Sequence, residues 1–382
     1  MTSGDGLDEI PREPVGRGII DGHAAGPKLR PGLERIPGYR AGRRPEPRAD
    51  LITYKVSSNE NPYPPLPRVR DAIAAAGADV NRYPDPGSTQ LVAAIAAHHA
   101  VPESDVAVAT GAVALCYQAA HAAAGPGDEV IYPWRSFEAY PIVAHVCGAT
   151  PVPVALTATE AHDLEAMAGA ITPATRLIFV CTPNNPTGTV VTDTQLTQFL
   201  TAVPADVLVV IDEAYVEFAD RLDVADGVAA YHHHPNVMVL RTFSKAYGLA
   251  GLRVGYALAQ APLAQALRKT ALPFGVSSIA EAAAIASLAD HTELMQRVDE
   301  LARERVRVIA ELRALGLSVG DSQANFVWLR LGARTVEFSA CCDAAGLTIR
   351  AFPGEGVRVT IGEQAANDRF IEMAATLVSR DR

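Results

Sequence analysis

The sequence lacks the features that mark membrane-spanning and secreted proteins. None of its apolar runs approaches the ~20 residues that a helix needs to span a bilayer, so we expect no transmembrane helix. The first residues do not show the basic segment followed by an apolar one that a secretion signal has, which indicates the cytoplasm. Only five cysteines are present, none in a Cys-x-x-Cys pair, and we expect them to be reduced and structural.

Positive charge is also scarce, and metal ligands are not clustered. A formal net charge of −10 disfavours nucleic acid as a main partner. The run from His232 to His234 invites a metal interpretation, but consecutive side chains point in different directions and no cysteine or carboxylate cluster accompanies them. We therefore predict no metal site and assign the three histidines to a solvated loop.

The length and the order of apolar segments predict an α/β fold with two unequal domains. From about residue 76, helical periods alternate with short strands rich in Val, Ile and Leu, such as "RLIFVCTP" and "DVLVVIDEAY". This pattern indicates a large domain with a mostly parallel sheet and helices on both faces, followed by a smaller α+β carboxy-terminal domain. The predicted parts are a flexible arm at 1–35, a segment at 36–75 packing with the small domain, the large domain at 76–275 and the small domain at 276–382.

Unusual polar residues follow several predicted strands. Because ligands bind at the carboxyl ends of the strands in such sheets, these residues predict one site. They are Thr110 and Gly111; Asn184 and Asn185; Asp212, Glu213 and Tyr215; and Thr242, Ser244, Lys245 and Arg253. Each is a weak signal alone, since Asn-Pro-Thr-Gly is an ordinary turn and a strand-end aspartate is often only a helix cap. Together they fit pyridoxal 5′-phosphate, which carries a phosphate, a ring nitrogen, a phenolic oxygen and an aldehyde.

The reactive end of this cofactor accounts for four of the residues. Lys245 would form a Schiff base with the aldehyde and, once displaced by the substrate amine, act as general base. Asp212 would keep the pyridine nitrogen protonated, because a fixed carboxylate favours the charged ring. The protonated ring then acts as an electron sink for the substrate Cα. Tyr215 and Asn185 would hydrogen-bond the phenolic oxygen.

The phosphate of the cofactor accounts for a second group of residues. Thr242, Ser244 and Arg253 would surround it, with the arginine supplying a two-pronged contact. A helix predicted to start at Gly111 and Ala112 would add backbone N–H groups, which are free to bind an anion at a helix start.

The segments "NNPTG", "DEAYVEF" and "RTFSKAYGLAGLRVGY", in this order, resemble the fold-type I aminotransferases, and more narrowly the histidinol-phosphate aminotransferase branch. The resemblance implies a homodimer in which Tyr83, in "NRYP", reaches the partner's cofactor phosphate. It implies that Phe137 stacks on the pyridine ring and that Arg358, in "VRVTIG", binds the acid group of the substrate. Tyr39 and Asn325 match further substrate-side positions.

The motifs leave two substrates open. "WRSFEAYP" and "SQANFVW" are similar to actinobacterial aromatic amino-acid aminotransferases, and the acid that histidinol-phosphate enzymes usually carry is missing from "TGAVALCYQ". "SSNENPYPPLP" instead resembles the histidinol-phosphate enzymes, in which Arg358 would bind the phosphate and Arg350 would assist. We predict reversible transamination of phenylalanine or tyrosine with 2-oxoglutarate, in amino-acid biosynthesis, with histidinol phosphate as the alternative.

Two other function classes remain as alternatives. A cofactor-dependent decarboxylase or lyase on the same fold would share Lys245 and Asp212 but would not turn over an oxo acid. A regulatory protein would need a DNA-binding extension, and the first ~35 residues are too short and irregular for a helix-turn-helix domain.

Overall fold

The computed structural model describes residues 48–379 without interruption, and residues 27, 29, 32–36, 38 and 42–46 before them. The strands, numbered along the chain, are β1 (Tyr54–Lys55), β2 (Val106–Ala109), β3 (Glu129–Trp134), β4 (Thr150–Ala155), β5 (Thr175–Cys181), β6 (Leu208–Asp212), β7 (Val237–Thr242), β8 (Gly255–Ala259), β9 (Phe326–Arg330), β10 (Leu347–Thr348), β11 (Arg350–Phe352) and β12 (Gly356–Thr360).

The helices are α1 (Pro67–Ala76), α2 (Thr89–His99), α3 (Ala112–Ala123), α4 (Ala139–Cys147), α5 (Leu164–Gly169), α6 (Asp193–Ala202), α7 (Gly227–His233), α8 (Ala261–Lys269), α9 (Ser278–Ala289), α10 (His291–Ala314), α11 (Thr335–Ala344) and α12 (Gln364–Ser379). The long helix α10 ends where the sequence predicts, because Gly316 adopts a left-handed backbone (φ 88°) two residues beyond it.

Seven strands form the large sheet, in the order β2-β8-β7-β6-β5-β3-β4. The pairs β3–β4, β3–β5, β5–β6 and β6–β7 are parallel, as the apolar runs predict. Side chains alternate between two apolar clusters: Val209 and Ile211 lie in one, Leu208 and Val210 in the other. Helices α3, α4 and α8 cover the second face, so both faces are buried as predicted.

Strand β8 is the one part of the large sheet that the sequence analysis missed. It is antiparallel to both β2 and β7. Its short "GYALA" sequence continues a glycine-rich segment without the long β-branched run that marks the other strands. Gly255 starts it because a Cβ there would lie 2.8 Å from the Ala112 N and 2.9 Å from the Arg241 O. Close backbone packing around Gly255 therefore requires a glycine at the start of β8.

A small antiparallel sheet follows in the order β11-β12-β9. Helix α11 contacts β11 and β12, and α12 packs against α10 and α11. The segment before α1 joins this region, because β1 pairs in parallel with β10. The predicted boundary at residue 275 falls between α8 and α9, and the division into domains remains a prediction.

Two sequence expectations concern binding to a membrane or a metal. Within the described ranges, no helix combines the length and apolar character needed to cross a membrane. The same residues contain no group of three or more His, Cys, Asp or Glu side chains that could hold a metal ion.

The prediction that the three histidines lie in a loop is wrong in part. His232 and His233 form the exposed end of α7, a helix that the Asp226 carboxylate caps by accepting hydrogen bonds from the Val228 and Ala229 N–H groups.

Candidate active site

The register of the large sheet brings the predicted polar residues to one edge. Asp212 is the last residue of β6 and pairs with Cys181 at the end of β5. Thr242 ends β7 and pairs with Gly255, which on its other side pairs with Ala109 at the end of β2. The loop that follows β2 therefore lies beside the loop that follows β7, although about 130 residues separate them in the chain.

An anion cradle forms where these two loops meet. Arg253 adopts a left-handed backbone (φ 56°), and its Nη1 donates to the Ser244 Oγ at 3.3 Å and to the Ala250 O at 2.9 Å. The Ser244 N–H donates in turn to the Thr242 Oγ1 at 3.1 Å. A left-handed backbone at a non-glycine residue costs ~1 kcal/mol or more, so the surroundings must hold Arg253 in place.

Gly111 completes the cradle on the side of α3. Its φ of 88° suits glycine, and it precedes the first helical residue, Ala112. A Cβ at Gly111 would lie 2.6 Å from the Arg253 Nη2, so only a residue without a side chain lets the guanidinium approach the helix start. The free N–H groups of the first turn and the guanidinium thus face a common space suited to a phosphate.

Asp212 is buried at the centre of the site. The Tyr140 hydroxyl donates to its Oδ2 at 2.7 Å and the Ala214 N–H donates to its Oδ1 at 3.1 Å. Burial raises the pKa of Asp212 to about 6, although these two hydrogen bonds oppose the rise. A carboxylate held by neutral donors in an apolar setting would be stabilised by a cationic group placed next to it.

Tyr140 is a site residue that the sequence analysis missed. It is fully buried, and its ring stacks on Phe179 with centroids 4.4 Å apart. Phe137, the predicted stacking residue, meets Tyr140 edge-on at 5.6 Å. The only signal was its place in the quoted "WRSFEAYP", because a tyrosine inside an apolar helix gives no sign of the strand end it reaches.

Lys245 reaches the same space from the loop after β7. Its Nζ donates to the Ser58 O at 3.0 Å and lies 5.7 Å from the centroid of the Tyr215 ring. Burial lowers the pKa of Lys245 to about 7, and the nearby Arg358 charge adds to this. A large fraction of the amine is therefore neutral, and nucleophilic, near neutral pH.

Ser57, Ser58 and Asn59 form a second missed element, the segment that follows β1. Their contacts reach three predicted site residues: the Ser57 O accepts from the Arg358 Nη2 at 2.8 Å, the Ser58 O accepts from Lys245, and the Asn59 Nδ2 donates to the Tyr215 hydroxyl at 2.9 Å. Asn59 holds a left-handed backbone (φ 54°). Its signal was the "NENPY" wording, which pointed to a family but to no particular contact.

The small sheet supplies the opposite wall. Arg358, on β12, is buried, and its Nη1 donates to the Asn185 Oδ1 at 2.6 Å. Asn325 is also buried, and its Nδ2 donates to the Asn59 O at 3.2 Å. The Asn325 Oδ1 has no hydrogen-bond partner among the described residues, which leaves it able to accept from a ligand.

Two further predicted residues are Tyr39 and Tyr83. Tyr39 falls outside the described residues. Tyr83 is 83% exposed, and its ring packs on Phe274 with centroids 4.7 Å apart. The turn that carries Phe274 adjoins the anion cradle, because a Cβ at Gly275 would lie 3.3 Å from the Thr110 Cγ2.

The low pKa of Lys245 predicts a pH dependence for its reactivity. Since the neutral fraction rises as the pH passes through about 7, reductive methylation of the cofactor-free protein at Lys245 should increase about tenfold between about pH 6 and 8 and then level off. Peptide mapping after treatment with formaldehyde and cyanoborohydride measures this. The exposed Lys269 reports the activity of the reagent in the same sample. Labelling of Lys245 that rises only above about pH 9 would contradict the assignment.

Comparison with known proteins identifies one protein family. The family model described as aminotransferase class I and II matches residues 52–373. An aromatic amino acid aminotransferase from Streptomyces avermitilis is 58% identical over 347 residues, which cover 91% of this chain and 96% of the relative. One of the same name from Thermobifida fusca is 53% identical over 358 residues, with 93% and 98% covered.

Solved structures show the same fold. The histidinol-phosphate aminotransferase from Sinorhizobium meliloti, solved in complex with pyridoxal-5′-phosphate, superposes with a TM-score of 0.80 at 29% identity, covering 87% of this chain and 92% of that one. The N-succinyldiaminopimelate aminotransferase from Mycobacterium tuberculosis gives 0.77 at 24% identity, with 84% and 92% covered. The α/β fold with a mostly parallel sheet is therefore confirmed.

Proposed function

Because this chain belongs to the class I and II aminotransferases, we propose that it transfers the amino group of phenylalanine or tyrosine reversibly to 2-oxoglutarate. The prediction of an aminotransferase is confirmed by the family, and the decarboxylase and the regulator are not supported. The aromatic substrate is supported by relatives more than half identical that are named for it. The histidinol-phosphate neighbour is far less similar, at 29% identity.

The observation in the structure that supports an amino-acid substrate is the setting of Arg358. Trp328 on β9 is its cross-strand partner, so both side chains lie on one face of the small sheet. The guanidinium also lies 5.5 Å from the centroid of the Phe326 ring. A buried cation at this position fits the acid group of an amino acid, and the aromatic side chain is proposed from the relatives named for it.

We propose pyridoxal 5′-phosphate as the cofactor, because three features of the site fit it. The cradle at Gly111 and Arg253 is shaped and charged for a phosphate. The buried Asp212 carboxylate would be stabilised by a protonated ring nitrogen. Lys245 offers an amine whose pKa of about 7 suits bonding to an aldehyde. When bound, the cofactor supplies an electron sink for negative charge at the substrate Cα.

The roles of the chain's own groups follow from their positions. The Lys245 Nζ would hold the cofactor's aldehyde carbon and, once released by the substrate amine, move the proton at the substrate Cα. Asp212 would keep a proton on the ring nitrogen. Tyr215, which Asn59 orients, and Asn185 would contact the phenolic oxygen. Arg358, fixed by Asn185 and Ser57, would bind the substrate carboxylate.

The paired assay that tests this proposal compares kcat/KM for phenylalanine and tyrosine with kcat/KM for histidinol phosphate, using 2-oxoglutarate as acceptor. We expect a preference of tenfold or more for the aromatic acids, about 1.4 kcal/mol of transition-state discrimination. The reverse preference would establish the alternative substrate. Failure of both substrates with the cofactor bound would return the decarboxylase or lyase to consideration.

We further propose a homodimer in which Tyr83 reaches the cofactor phosphate of the partner subunit. The support is an exposed apolar patch around the Tyr83 ring, which includes Leu272 and Phe274, beside the loop that carries Thr110. Large exposed apolar side chains grouped in this way are typical of interfaces. A location in the cytoplasm and a part in amino-acid biosynthesis remain predictions.

Replacing Tyr83 with phenylalanine tests the proposed contact. The change keeps the ring that packs on Phe274 and removes only the hydroxyl, so we expect the fold and the dimer to persist. Loss of one hydrogen bond to a charged phosphate should weaken cofactor binding by roughly 10- to 150-fold, since such bonds contribute about 1.5–3 kcal/mol. Equilibrium dialysis measures the cofactor Kd, and size-exclusion chromatography the dimer. An unchanged Kd would contradict the role of Tyr83.

A further inference from the structure

Two arginines lie opposite each other on the small sheet. Arg350 on β11 is the direct cross-strand partner of Arg358 on β12, so their side chains leave the same face of the sheet. That face is the one from which Arg358 contacts Asn185. Like charges directly opposite each other on neighbouring strands destabilise a sheet. A second guanidinium next to the acid-binding arginine therefore needs an explanation.

Glu138 forms an ion pair with Arg350 and balances its positive charge. Its Oε2 lies 2.6 Å from the Arg350 Nη2, and the two side chains are only 29% and 13% exposed. Water and salt screen a pair of such low exposure much less than an exposed one. Glu138 directly follows Phe137 in the segment between β3 and α4, so the pair joins the large sheet's edge to the small sheet.

A second ion pair holds the other end of the same segment. The Arg135 Nε donates to the Glu355 Oε2 at 2.8 Å, and the Arg135 Nη2 contacts the Glu355 Oε1 as well. The Arg135 guanidinium also lies 4.3 Å from the centroid of the Trp134 ring. The segment 135–138 therefore makes two separate ion pairs with residues of the small sheet region, one at each end.

We propose that Glu138 is a specificity-determining residue that makes the acid-binding end of the site select a carboxylate over a phosphomonoester. This inference rests on the proposed function, in which Arg358 binds the substrate's carboxylate. A carboxylate carries one negative charge, whereas a phosphomonoester carries about −1.5 to −2 near pH 7. Glu138 pairs with Arg350, the cross-strand neighbour of Arg358, and so adds a fixed negative charge near the acid-binding end of the site. A dianion is repelled there about twice as strongly as a monoanion.

The test replaces Glu138 with glutamine in the holoenzyme. The amide keeps the shape and can still accept a hydrogen bond from Arg350, but the charge is gone. Single-turnover reactions without acceptor, followed by the absorption change of the bound cofactor, give kcat/KM for phenylalanine and for histidinol phosphate. We expect the preference for phenylalanine to fall tenfold or more, through tighter apparent binding of histidinol phosphate, while the phenylalanine value changes less than threefold.

Two further variants separate the charge effect from a loosened structure. Glu355→Gln breaks the neighbouring ion pair and leaves the Glu138–Arg350 pair, so the preference should stay within threefold of wild type. The double variant Glu138→Gln/Arg350→Gln also removes the Arg350 guanidinium, so the gain with histidinol phosphate should disappear. A gain that survives in the double variant would overturn the role of Arg350.

The outcomes also distinguish this inference from the proposed function. If the wild-type enzyme prefers phenylalanine and the Glu138→Gln variant keeps that preference unchanged, the inference fails and the proposed function stands. If the wild type prefers histidinol phosphate, both fail. Should Glu138→Gln not fold, Arg350→Gln supplies the result. It leaves the Glu138 charge unmatched, so histidinol phosphate should lose binding more than phenylalanine does, and an equal loss would contradict the inference.

Discussion

The Lys245→Ala variant is expected to lose transamination by roughly 10⁴-fold or more. The lysine amine is the group in the described site that can both hold the cofactor's aldehyde carbon and move the proton at the substrate Cα. Its partly neutral state near pH 7 comes from burial and from the Arg358 charge. Steady-state rates and the visible spectrum of the bound cofactor measure the effect.

A matched control uses the exposed Lys269 at the end of α8. Lys269→Ala removes an exposed amine that contacts none of the proposed site residues described above, so its rates and spectrum should equal those of the wild type. Thermal unfolding of both variants shows whether either substitution damages the fold. Activity of Lys245→Ala within tenfold of wild type, with an intact fold, would overturn the proposed mechanism.

The Asp212→Asn variant is expected to lose activity by roughly 10²–10⁴-fold while the cofactor-free protein becomes more stable near neutral pH. Loss of activity follows because an amide cannot hold a proton on the ring nitrogen. The hydrogen bonds can persist, since the Tyr140 hydroxyl can accept from the new amide as readily as it donates to the carboxylate.

The stability gain has a defined pH window. Burial raises the pKa of Asp212 from 3.8 to about 6, so the folded protein binds this proton more tightly than the unfolded chain does. Stability therefore falls as the pH rises from about 4 to 6, and ionised Asp212 costs up to about 3 kcal/mol above that range. Urea unfolding of the cofactor-free proteins should show the variant to be the more stable near pH 7 and the difference to vanish near pH 4.

Glu217 offers a control in which a buried carboxylate can be removed without touching the proposed cofactor contacts. Burial raises its pKa to about 7, yet it lies outside the proposed cofactor contacts. Glu217→Gln should therefore stabilise the protein by an amount that grows from about pH 4.5 to 7 and stays constant above that, with little change in activity. An Asp212→Asn variant that keeps full activity would remove Asp212 from the proposed mechanism, whatever its stability.

Most of the large sheet could be predicted because each parallel strand is a continuous apolar run between helical periods. The strand β8 could not, since "GYALA" has no such run and its place depends on the close approach of Gly255 to Ala112 and Arg241. The grouping of Asp212, Lys245 and Arg253 could be anticipated, because parallel strands deliver their carboxyl ends to one edge. No comparable rule connects residues 57–59, which are brought to the site by the pairing of β1 with β10 and by the hydrogen bond from the Asn59 N–H to the Thr360 Oγ1.

The sequence by itself determined the chemistry that this chain can offer: an amine, a carboxylate, a phosphate cradle and an arginine, in segments whose order is typical of the aminotransferase family. Only the tertiary structure decided how those groups are tuned. Tyr140 contacts Asp212 from helix α4, and Asn59 contacts Tyr215 from the segment after β1. Glu138, in the segment after β3 of the large sheet, contacts Arg350 on β11 of the small sheet. The physical reason is that residue type is local, whereas burial, pKa and charge matching depend on what the rest of the chain packs against each group.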